Sequence, residues 1–142
     1  MKEVMEPVAQ GPSDLELVEL ARQARERAYA PYSHFAVGAA LVGRSGRIFT
    51  ATNVENEAYP LSTCAERAAV ARAVSEGERE FVTIAVVTEN GATPCGACRQ
   101  ILREFSGPQG DLRVLVADTA GRVRTFSLAQ LLPEAFTSEH LV

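Results

Sequence analysis

The segment Phe81-Val82-Thr83-Ile84-Ala85-Val86-Val87-Thr88 is an almost unbroken run of apolar and β-branched residues. Such a run is typical of a strand that is covered on both faces of a sheet. A second informative segment, Thr93-Pro94-Cys95-Gly96-Ala97-Cys98, follows shortly afterwards. Its threonine can cap a helix and its proline suits a first helical turn. We therefore predict a central strand over 81–88 and a helix that begins after Thr93 and ends near Phe105, before Gly107-Pro108.

The other elements alternate between helices and strands. Ser13 and Glu16 form a capping-box pattern, and apolar residues at helical spacing follow until Pro31, which predicts a helix over 14–29. Two β-prone runs joined by Gly43-Arg44-Ser45-Gly46 predict a hairpin. Further predicted elements are strands over 35–42, 47–53, 113–117 and 123–126, a helix over 64–75 and a short helix over 127–132. The pattern indicates an α/β fold, a three-layer α/β/α sandwich around a mixed five-stranded sheet.

Length and charge limit the possible functions. The 142 residues suit one domain, which we expect over 13–142 after a polar, flexible N-terminal arm over 1–12. Fourteen basic and eighteen acidic residues give a net charge of -4. That sign is wrong for a protein that binds polymeric nucleic acid through its phosphates. The opening residues lack the apolar stretch of a signal peptide, and no transmembrane run follows, so we expect a soluble protein of the cytoplasm.

The chain has three cysteines, and their spacing indicates a metal site. An odd number of thiols cannot all pair internally, and a reducing compartment keeps them free. Cys64 precedes Glu66 by two residues, and Cys95 and Cys98 lie three apart, on one face of the predicted helix. Three thiolates on zinc leave one tetrahedral position for water, and a nearby carboxylate can move that water's protons. The pattern therefore predicts a catalytic zinc site.

Electrostatics supports this assignment. The predicted helices place all three cysteines in first turns, where free backbone N–H groups and the helix dipole favour thiolates. Three thiolates on Zn²⁺ leave a net charge of -1, which weakens the effect of the metal on a bound water. Arg67, three residues beyond Cys64, can donate to the ligand sulfurs and offset that charge. Glu66 is assigned the proton shuttle, because a fourth ligand would close the site.

A cysteine followed by a glutamate two residues later, with a distant Pro-Cys-x-x-Cys, is typical of zinc deaminases that attack cytosine C4 or adenine C6. The sequence most resembles the cytidine deaminases, specifically the small type with three cysteine ligands that assembles as homotetramers. The resemblance spans most of the chain. It rests on the segments Pro31-Tyr32-Ser33-His34-Phe35-Ala36-Val37-Gly38-Ala39-Ala40, Asn53-Val54-Glu55-Asn56, Cys64-Ala65-Glu66-Arg67, Pro94-Cys95-Gly96-Ala97-Cys98-Arg99-Gln100 and Leu131-Leu132-Pro133-Glu134-Ala135-Phe136.

The resemblance implies zinc-dependent hydrolytic deamination of cytidine and 2'-deoxycytidine to uridine and 2'-deoxyuridine, with release of ammonia, in pyrimidine salvage. It implies that Asn53 and Glu55 hydrogen-bond the ribose 3'-hydroxyl and that Phe35 packs on the pyrimidine. The backbone of Ala65 and of Cys95 would read the edge of the base.

Two further residues are expected to act between subunits. By the same resemblance, Tyr59 and Phe136 would reach the pocket of a neighbouring subunit, so the pockets of the homotetramer would be shared. The preference between ribose and deoxyribose stays open, because no residue can be identified that reads the 2'-hydroxyl.

Other interpretations are possible. Thr63 and Glu66 also fit a capping box, in which Glu66 only satisfies a helix end. A structural zinc module, closed by a fourth ligand such as His34, would do no chemistry, although such sites usually present paired ligand knuckles. Blasticidin deaminase shares the zinc motif and is the nearest enzymatic alternative. A deaminase of nucleic acids or tRNA would need a basic surface.

Overall fold

The strands form one mixed sheet. A computed structural model describes residues 11–107 and 110–141. The strands in these residues are β1 (Gly38–Gly43), β2 (Ile48–Thr52), β3 (Phe81–Val87), β4 (Arg113–Ala117) and β5 (Val123–Ser127). Their order is β2-β1-β3-β4-β5, in which β3 and β4 run parallel and the other neighbours antiparallel. The predicted mixed five-stranded sheet is confirmed.

Helices cover both faces of this sheet. They are α1 (Asp14–Arg25), α2 (Ala65–Ser75), α3 (Gly96–Glu104) and α4 (Leu128–Leu131), with single 3₁₀ turns at Tyr59–Leu61 and Ser138–His140. One apolar cluster joins α1 to one face, and a larger cluster joins α2, α3 and α4 to the other. The predicted three-layer α/β/α sandwich is therefore confirmed.

The central strand shows how the two cores are divided. Side chains alternate across a strand, so Ala85 and Val87 of β3 pack towards α1, while Ile84 and Val86 pack towards α2 and α3. All four are at most 1% exposed. The prediction that this run is covered on both faces is confirmed for most of the strand, but Val82 is 38% exposed and β3 ends at Val87 instead of 88.

The first helix begins where the sequence predicts and ends earlier. The capping box is present, because Ser13 N–H donates to Glu16 Oε1 at 2.8 Å and Glu16 N–H to Ser13 Oγ at 3.1 Å. However, α1 ends at Arg25 and not at 29. Tyr29 is extended instead: its N–H donates to the Asn53 carbonyl, and its carbonyl accepts from Glu55 N–H. This non-local pairing ends the helix before Pro31.

The first two strands are shorter than predicted at their shared end. The prediction gave 35–42 and 47–53, whereas β1 begins at Gly38 and β2 ends at Thr52. The reason is the Asn53 side chain, which accepts from Val37 N–H at 2.9 Å and donates to the Phe35 carbonyl at 2.8 Å. These bonds replace regular strand pairing there. The hairpin turn is confirmed, with Gly46 at a φ of 92°.

Parts of two predictions lie outside the described residues. They are most of the N-terminal arm, residues 1–10, and Pro108 beyond the third helix. Within the described part of the chain, no helix is both long and apolar enough to cross a membrane.

A tight contact between β1 and α1 yields a test of this architecture. A Cβ added at Gly38 would clash with the Ala21 carbonyl oxygen and lie 2.5 Å from the Arg25 backbone nitrogen. We expect Gly38→Ala to lower the free energy of unfolding by about 2–3 kcal/mol, as overpacking against backbone does.

Gly96→Ala is the matched control, because nothing lies within 4 Å of its added Cβ. Urea unfolding of the parent and both variants measures the effect. Equal stability of Gly38→Ala and the parent would contradict the close packing of α1 on β1.

Candidate metal centre

The three cysteines converge at one point. The sulfur atoms of Cys64, Cys95 and Cys98 all lie within 4.8 Å of one another, and those of Cys95 and Cys98 are 3.5 Å apart. Tetrahedral ligands at a Zn–S distance of 2.3 Å are separated by about 3.8 Å. The donor set and its spacing therefore fit one zinc ion held by three thiolates.

Cys64 reaches this point because a β-bridge holds the preceding residue, Thr63, in place. Val54 and Thr63 exchange two backbone hydrogen bonds, at 2.9 and 2.8 Å, which keep Thr63 extended. The helix consequently starts one residue later than predicted, with Cys64 as the N-cap whose carbonyl accepts from Ala68 N–H. A capping box from Thr63 to Glu66 is thereby excluded.

The third helix also starts later than predicted. Thr93 does not cap it, because its hydroxyl and the Pro94 carbonyl both accept hydrogen bonds from the Arg99 side chain. Cys95 is the N-cap, and Cys98 occupies the third helical position. Two of the three cysteines are thus N-caps, and the third lies in a first turn. All three remain at helix N-termini, where the free N–H groups favour thiolates.

The surroundings favour an anion on Cys64. Its pKa is lowered to about 6, first by a hydrogen bond from the Cys98 thiol and further by the Cys95 thiol and the Arg67 guanidinium. No hydrogen bond or ion pair joins Arg67 to another residue of the described ranges, so its predicted donation to the sulfurs stays a prediction. The charge of Arg67 nonetheless acts on Cys64 in the predicted sense.

Glu66 lies beside the sulfurs without belonging to their cluster. Its side chain is buried, being 6% exposed, and burial raises the pKa of its carboxyl to about 7. The neighbouring Cys64 thiolate acts in the same direction. Hydrogen bonds from its own backbone N–H and from the Cys98 thiol act in the opposite direction but do not cancel the effect of burial. A buried carboxyl whose pKa lies near 7 is suited to a proton-transfer role.

A cavity of about 330 Å³ opens onto this centre. Of the residues predicted to bind substrate, Phe35, Asn53, Glu55 and Ala65 line it together with the three cysteines and Glu66. The remaining lining residues are Ser33, Val37, Ser62, Thr63, Thr88, Ala92 and Thr93. The structure therefore brings together most of the site residues that the sequence indicated.

Tyr59 and Phe136 lie apart from this cavity lining. They are 71% and 53% exposed, respectively. Tyr59 borders an adjoining depression with Ser33 and Glu55, and its ring lies 6.1 Å from that of Tyr32. The Phe136 ring stacks on His140 at 5.4 Å. Their predicted roles at a neighbouring subunit stay predictions.

Asn53 and Glu55 have structural contacts of their own. The Asn53 side chain binds the backbone of Phe35 and Val37. Glu55 Oε1 accepts from the N–H groups of Tyr32 and Ser33, and its other oxygen accepts from the Ser33 hydroxyl. Together the two side chains hold the loop that presents Phe35. That loop includes His34 at the uncommon φ of 60°.

Sequence reasoning missed two polar residues near the centre. Thr88 is 3% exposed, and its hydroxyl accepts from Gly91 and Ala92 N–H at 2.8 and 3.0 Å, shaping the loop over the cavity. Arg99 binds the segment before Cys95. The signals were present, since Thr88 ends the central strand and Arg99 follows a ligand, but their contacts depend on the fold.

The comparisons with known proteins agree with this geometry. The family model described as "Cytidine and deoxycytidylate deaminase zinc-binding region" matches residues 12–109. A cytidine deaminase of Sporosarcina psychrophila is 46% identical over 127 residues, covering 88% of this chain and 92% of that protein. A crystal structure of cytidine deaminase from Burkholderia pseudomallei superposes with a TM-score of 0.84 at 46% identity, covering 88% of this chain and 100% of that chain. The blasticidin-S deaminase of Bacillus cereus is 31% identical, and the match covers 87% of this chain and 92% of that protein.

The fold, the three-sulfur centre and these matches lead to one conclusion. The chain belongs to the cytidine and deoxycytidylate deaminase family, whose matched region is a zinc-binding region. The resemblance noted in the sequence is confirmed, as is zinc as the cofactor.

The structural zinc module finds no support in the described ranges. The one group of three or more His, Cys, Asp or Glu side chains there that could hold a metal is the trio of cysteines, which His34 does not join. A site with three protein ligands keeps a position open, as catalytic zinc sites do.

The centre predicts a defined response to ligand loss. We expect the parent to carry one zinc per chain and Cys95→Ser to carry little, because two thiolates bind zinc more weakly than three. Cys95 is exposed, so the variant should still fold. Metal analysis after gel filtration measures the content.

Ala97→Ser is the matched control, since the exposed Ala97 lies between Cys95 and Cys98. It should keep full zinc. A Cys95→Ser protein with undiminished zinc would contradict the assignment of Cys95 as a ligand.

Proposed function

We propose that this protein catalyses the hydrolytic deamination of cytidine and 2'-deoxycytidine to uridine and 2'-deoxyuridine, releasing ammonia. The observation that carries the proposal is the position of Glu66 and three cysteine sulfurs on one cavity. The cavity volume of about 330 Å³ falls within the range of small-molecule sites, which begins at about 300 Å³. Family membership and the named relatives support the same reaction.

Glu66 performs the proton transfers in this proposal. Zinc, when held by Cys64, Cys95 and Cys98, lowers the pKa of a bound water from about 15.7 towards about 7. The Glu66 carboxylate takes a proton from the attacking water and delivers it to ring N3, which makes C4 more electrophilic. A second proton passes through Glu66 to the 4-amino group, so that ammonia can leave. Water adds one oxygen to C4, and the C4–N bond breaks.

The nucleoside is held by the residues that line the rest of the cavity. Phe35 packs on the pyrimidine, and the backbone of Ala65 and Cys95 reads the edge of the base. Asn53 and Glu55 hydrogen-bond the ribose 3'-hydroxyl with the capacity that their loop contacts leave free. The Asn53 amide oxygen and the Glu55 carboxylate can each accept more hydrogen bonds than their contacts with residues 32–37 use.

A surface beside the cavity supports a homotetramer with shared pockets. Tyr29, Tyr32, Val54, Tyr59 and Leu61 are between 44% and 71% exposed. A backbone β-bridge joins Tyr29 to Val54, and the rings of Tyr32 and Tyr59 are in contact. Contiguous exposed apolar residues mark interaction surfaces. We assign this surface to subunit contacts, through which Tyr59 and Phe136 reach a neighbouring cavity.

The setting of the enzyme follows from its chemistry. We place it in the cytoplasm, in pyrimidine salvage, as one catalytic domain over 13–142 after the N-terminal arm. Free thiols at the metal centre suit a reducing compartment.

Removing the proton shuttle gives the first functional test. We expect Glu66→Gln to keep full zinc and to lose a factor of about 10²–10⁴ or more in kcat, because the amide cannot relay protons. The fall in ultraviolet absorbance of cytidine measures turnover. Glu104→Gln, which neutralises an exposed carboxylate at the end of α3, is the control with unchanged activity.

The same assay distinguishes the possible substrates. Cytidine, deoxycytidine, adenosine and blasticidin S are compared on the parent enzyme. Turnover of blasticidin S at a higher kcat/KM than cytidine would replace the proposal by its nearest alternative. Near-normal turnover by Glu66→Gln would remove Glu66 from the mechanism.

The subunit surface predicts a change in mass. Leu61 is 68% exposed, so Leu61→Asp should leave the monomer folded and place a charge in the interface, dissociating the tetramer. Light scattering coupled to gel filtration measures the mass. Leu15→Asp, on the exposed side of α1 and 75% exposed, is the control that should stay tetrameric. An unchanged mass for Leu61→Asp would exclude this surface from the interface.

A further inference from the structure

The side chain of Arg99 connects two separate segments to the metal centre. Arg99 directly follows the ligand Cys98 on α3, and its guanidinium turns back towards the start of the helix. Nε donates to the Pro94 carbonyl at 2.7 Å, Nη2 to the Thr93 hydroxyl at 2.8 Å, and Nη1 to the Leu131 carbonyl at 2.6 Å. Every nitrogen of the guanidinium is therefore used.

Two of these bonds act on the residues that aim Cys95. Pro94 is buried and immediately precedes this ligand. Cys95 itself is exposed and makes no side-chain cap of its own helix. Its backbone direction consequently depends on the Thr93-Pro94 segment, which Arg99 holds at a carbonyl and a hydroxyl. A proline lacks an N–H, so this segment cannot be secured by a backbone donor at 94.

The third bond ties the same guanidinium to the end of α4. The next residue, Gln100, donates from Nε2 to the Phe136 carbonyl at 2.9 Å. Two consecutive residues of the zinc-binding helix thus hold the chain between Leu131 and Phe136. The C-terminal segment and the ligand loop are fastened to one short stretch of α3.

Arg99 carries its positive charge at an unusual position in a helix. A cation in the first half of a helix is disfavoured by the helix dipole, and Arg99 is only partly exposed. Its acceptors in the described residues are two carbonyls and a hydroxyl, so no carboxylate there neutralises it. Three thiolates that held zinc, one of them on the preceding residue Cys98, would carry a net charge of the opposite sign.

We propose that Arg99 is a positioning residue for the metal centre, which fixes Cys95 through the Thr93-Pro94 segment and links zinc retention to the C-terminal segment. The inference rests on the proposed zinc site. It adds a residue that touches neither substrate nor metal and acts through the ligand loop. A planar fork with several fixed donors is required, which lysine does not provide.

The rate of zinc loss tests this role. A chromogenic zinc chelator in excess reports dissociation from the parent, Arg99→Met and Arg99→Lys at a temperature well below unfolding. We expect Arg99→Met to release zinc about 10–100-fold faster, the range typical when a residue that orients a ligand is removed. Arg99→Lys keeps the charge but cannot span three acceptors, so its rate should lie between those of the parent and Arg99→Met.

A second variant covers the case in which Arg99→Met does not fold. Thr93→Val removes one acceptor at nearly constant shape and should accelerate zinc release by a smaller factor. Arg44→Gln is the matched control: Arg44 is exposed, pairs with Glu80 at 2.7 Å and lies on the β1–β2 turn, so its loss should leave zinc release unchanged.

The outcomes separate the possible failures. A parent that binds no zinc defeats the proposed function itself. A parent that holds zinc, with folded Arg99→Met and Thr93→Val releasing it within twofold of the parental rate, overturns the role of Arg99. Lowered thermal stability with unchanged zinc release also overturns it, because that result assigns Arg99 to the fold alone.

Discussion

Three thiolates can share one metal only if their mutual repulsion is offset, and the structure offsets it by starting two helices at the same place. Cys64 and Cys95 are N-caps, and Cys98 lies in the first turn of α3. The N-termini of both helices, where backbone N–H groups lack intrahelical partners, therefore lie at the cysteine cluster. The sheet makes this arrangement possible, because α2 and α3 pack side by side on one face while α1 covers the other.

The sequence predicted the elements well where the signal was local. The apolar run 81–88, the capping box at Ser13 and the turn 43–46 each predicted an element that the structure contains at that place. The errors lie where a distant partner decides. Helix α1 stops early because Tyr29 pairs with the chain around Asn53, and α2 begins late because Thr63 pairs with Val54. Such pairings between distant residues leave no periodic pattern in the sequence.

The site residues divide in the same way, into those with a local sequence signal and those whose role depends on distant partners. The pattern of Cys64, Glu66, Cys95 and Cys98 predicted a zinc site with a carboxylate beside it, and the structure brings these four residues to one cavity. Asn53 and Glu55 were assigned to substrate by resemblance, and the structure adds that both hold the loop around Phe35. Arg99 was not singled out, because an arginine after a cysteine has no meaning until its acceptors are known. Its partners are separated from it by as many as 32 positions.

The cavity wall is built from connections and helix starts rather than from strands. Its residues come from the loop before β1, the crossing from β2 to α2, the crossing from β3 to α3, and the first turns of those helices. From the apolar layers beneath, only Ala65 and Val37 of the larger cluster line the cavity. Natural variation can therefore reshape the recognition of different nucleosides one loop at a time, while the scaffold and its folding stay as they are.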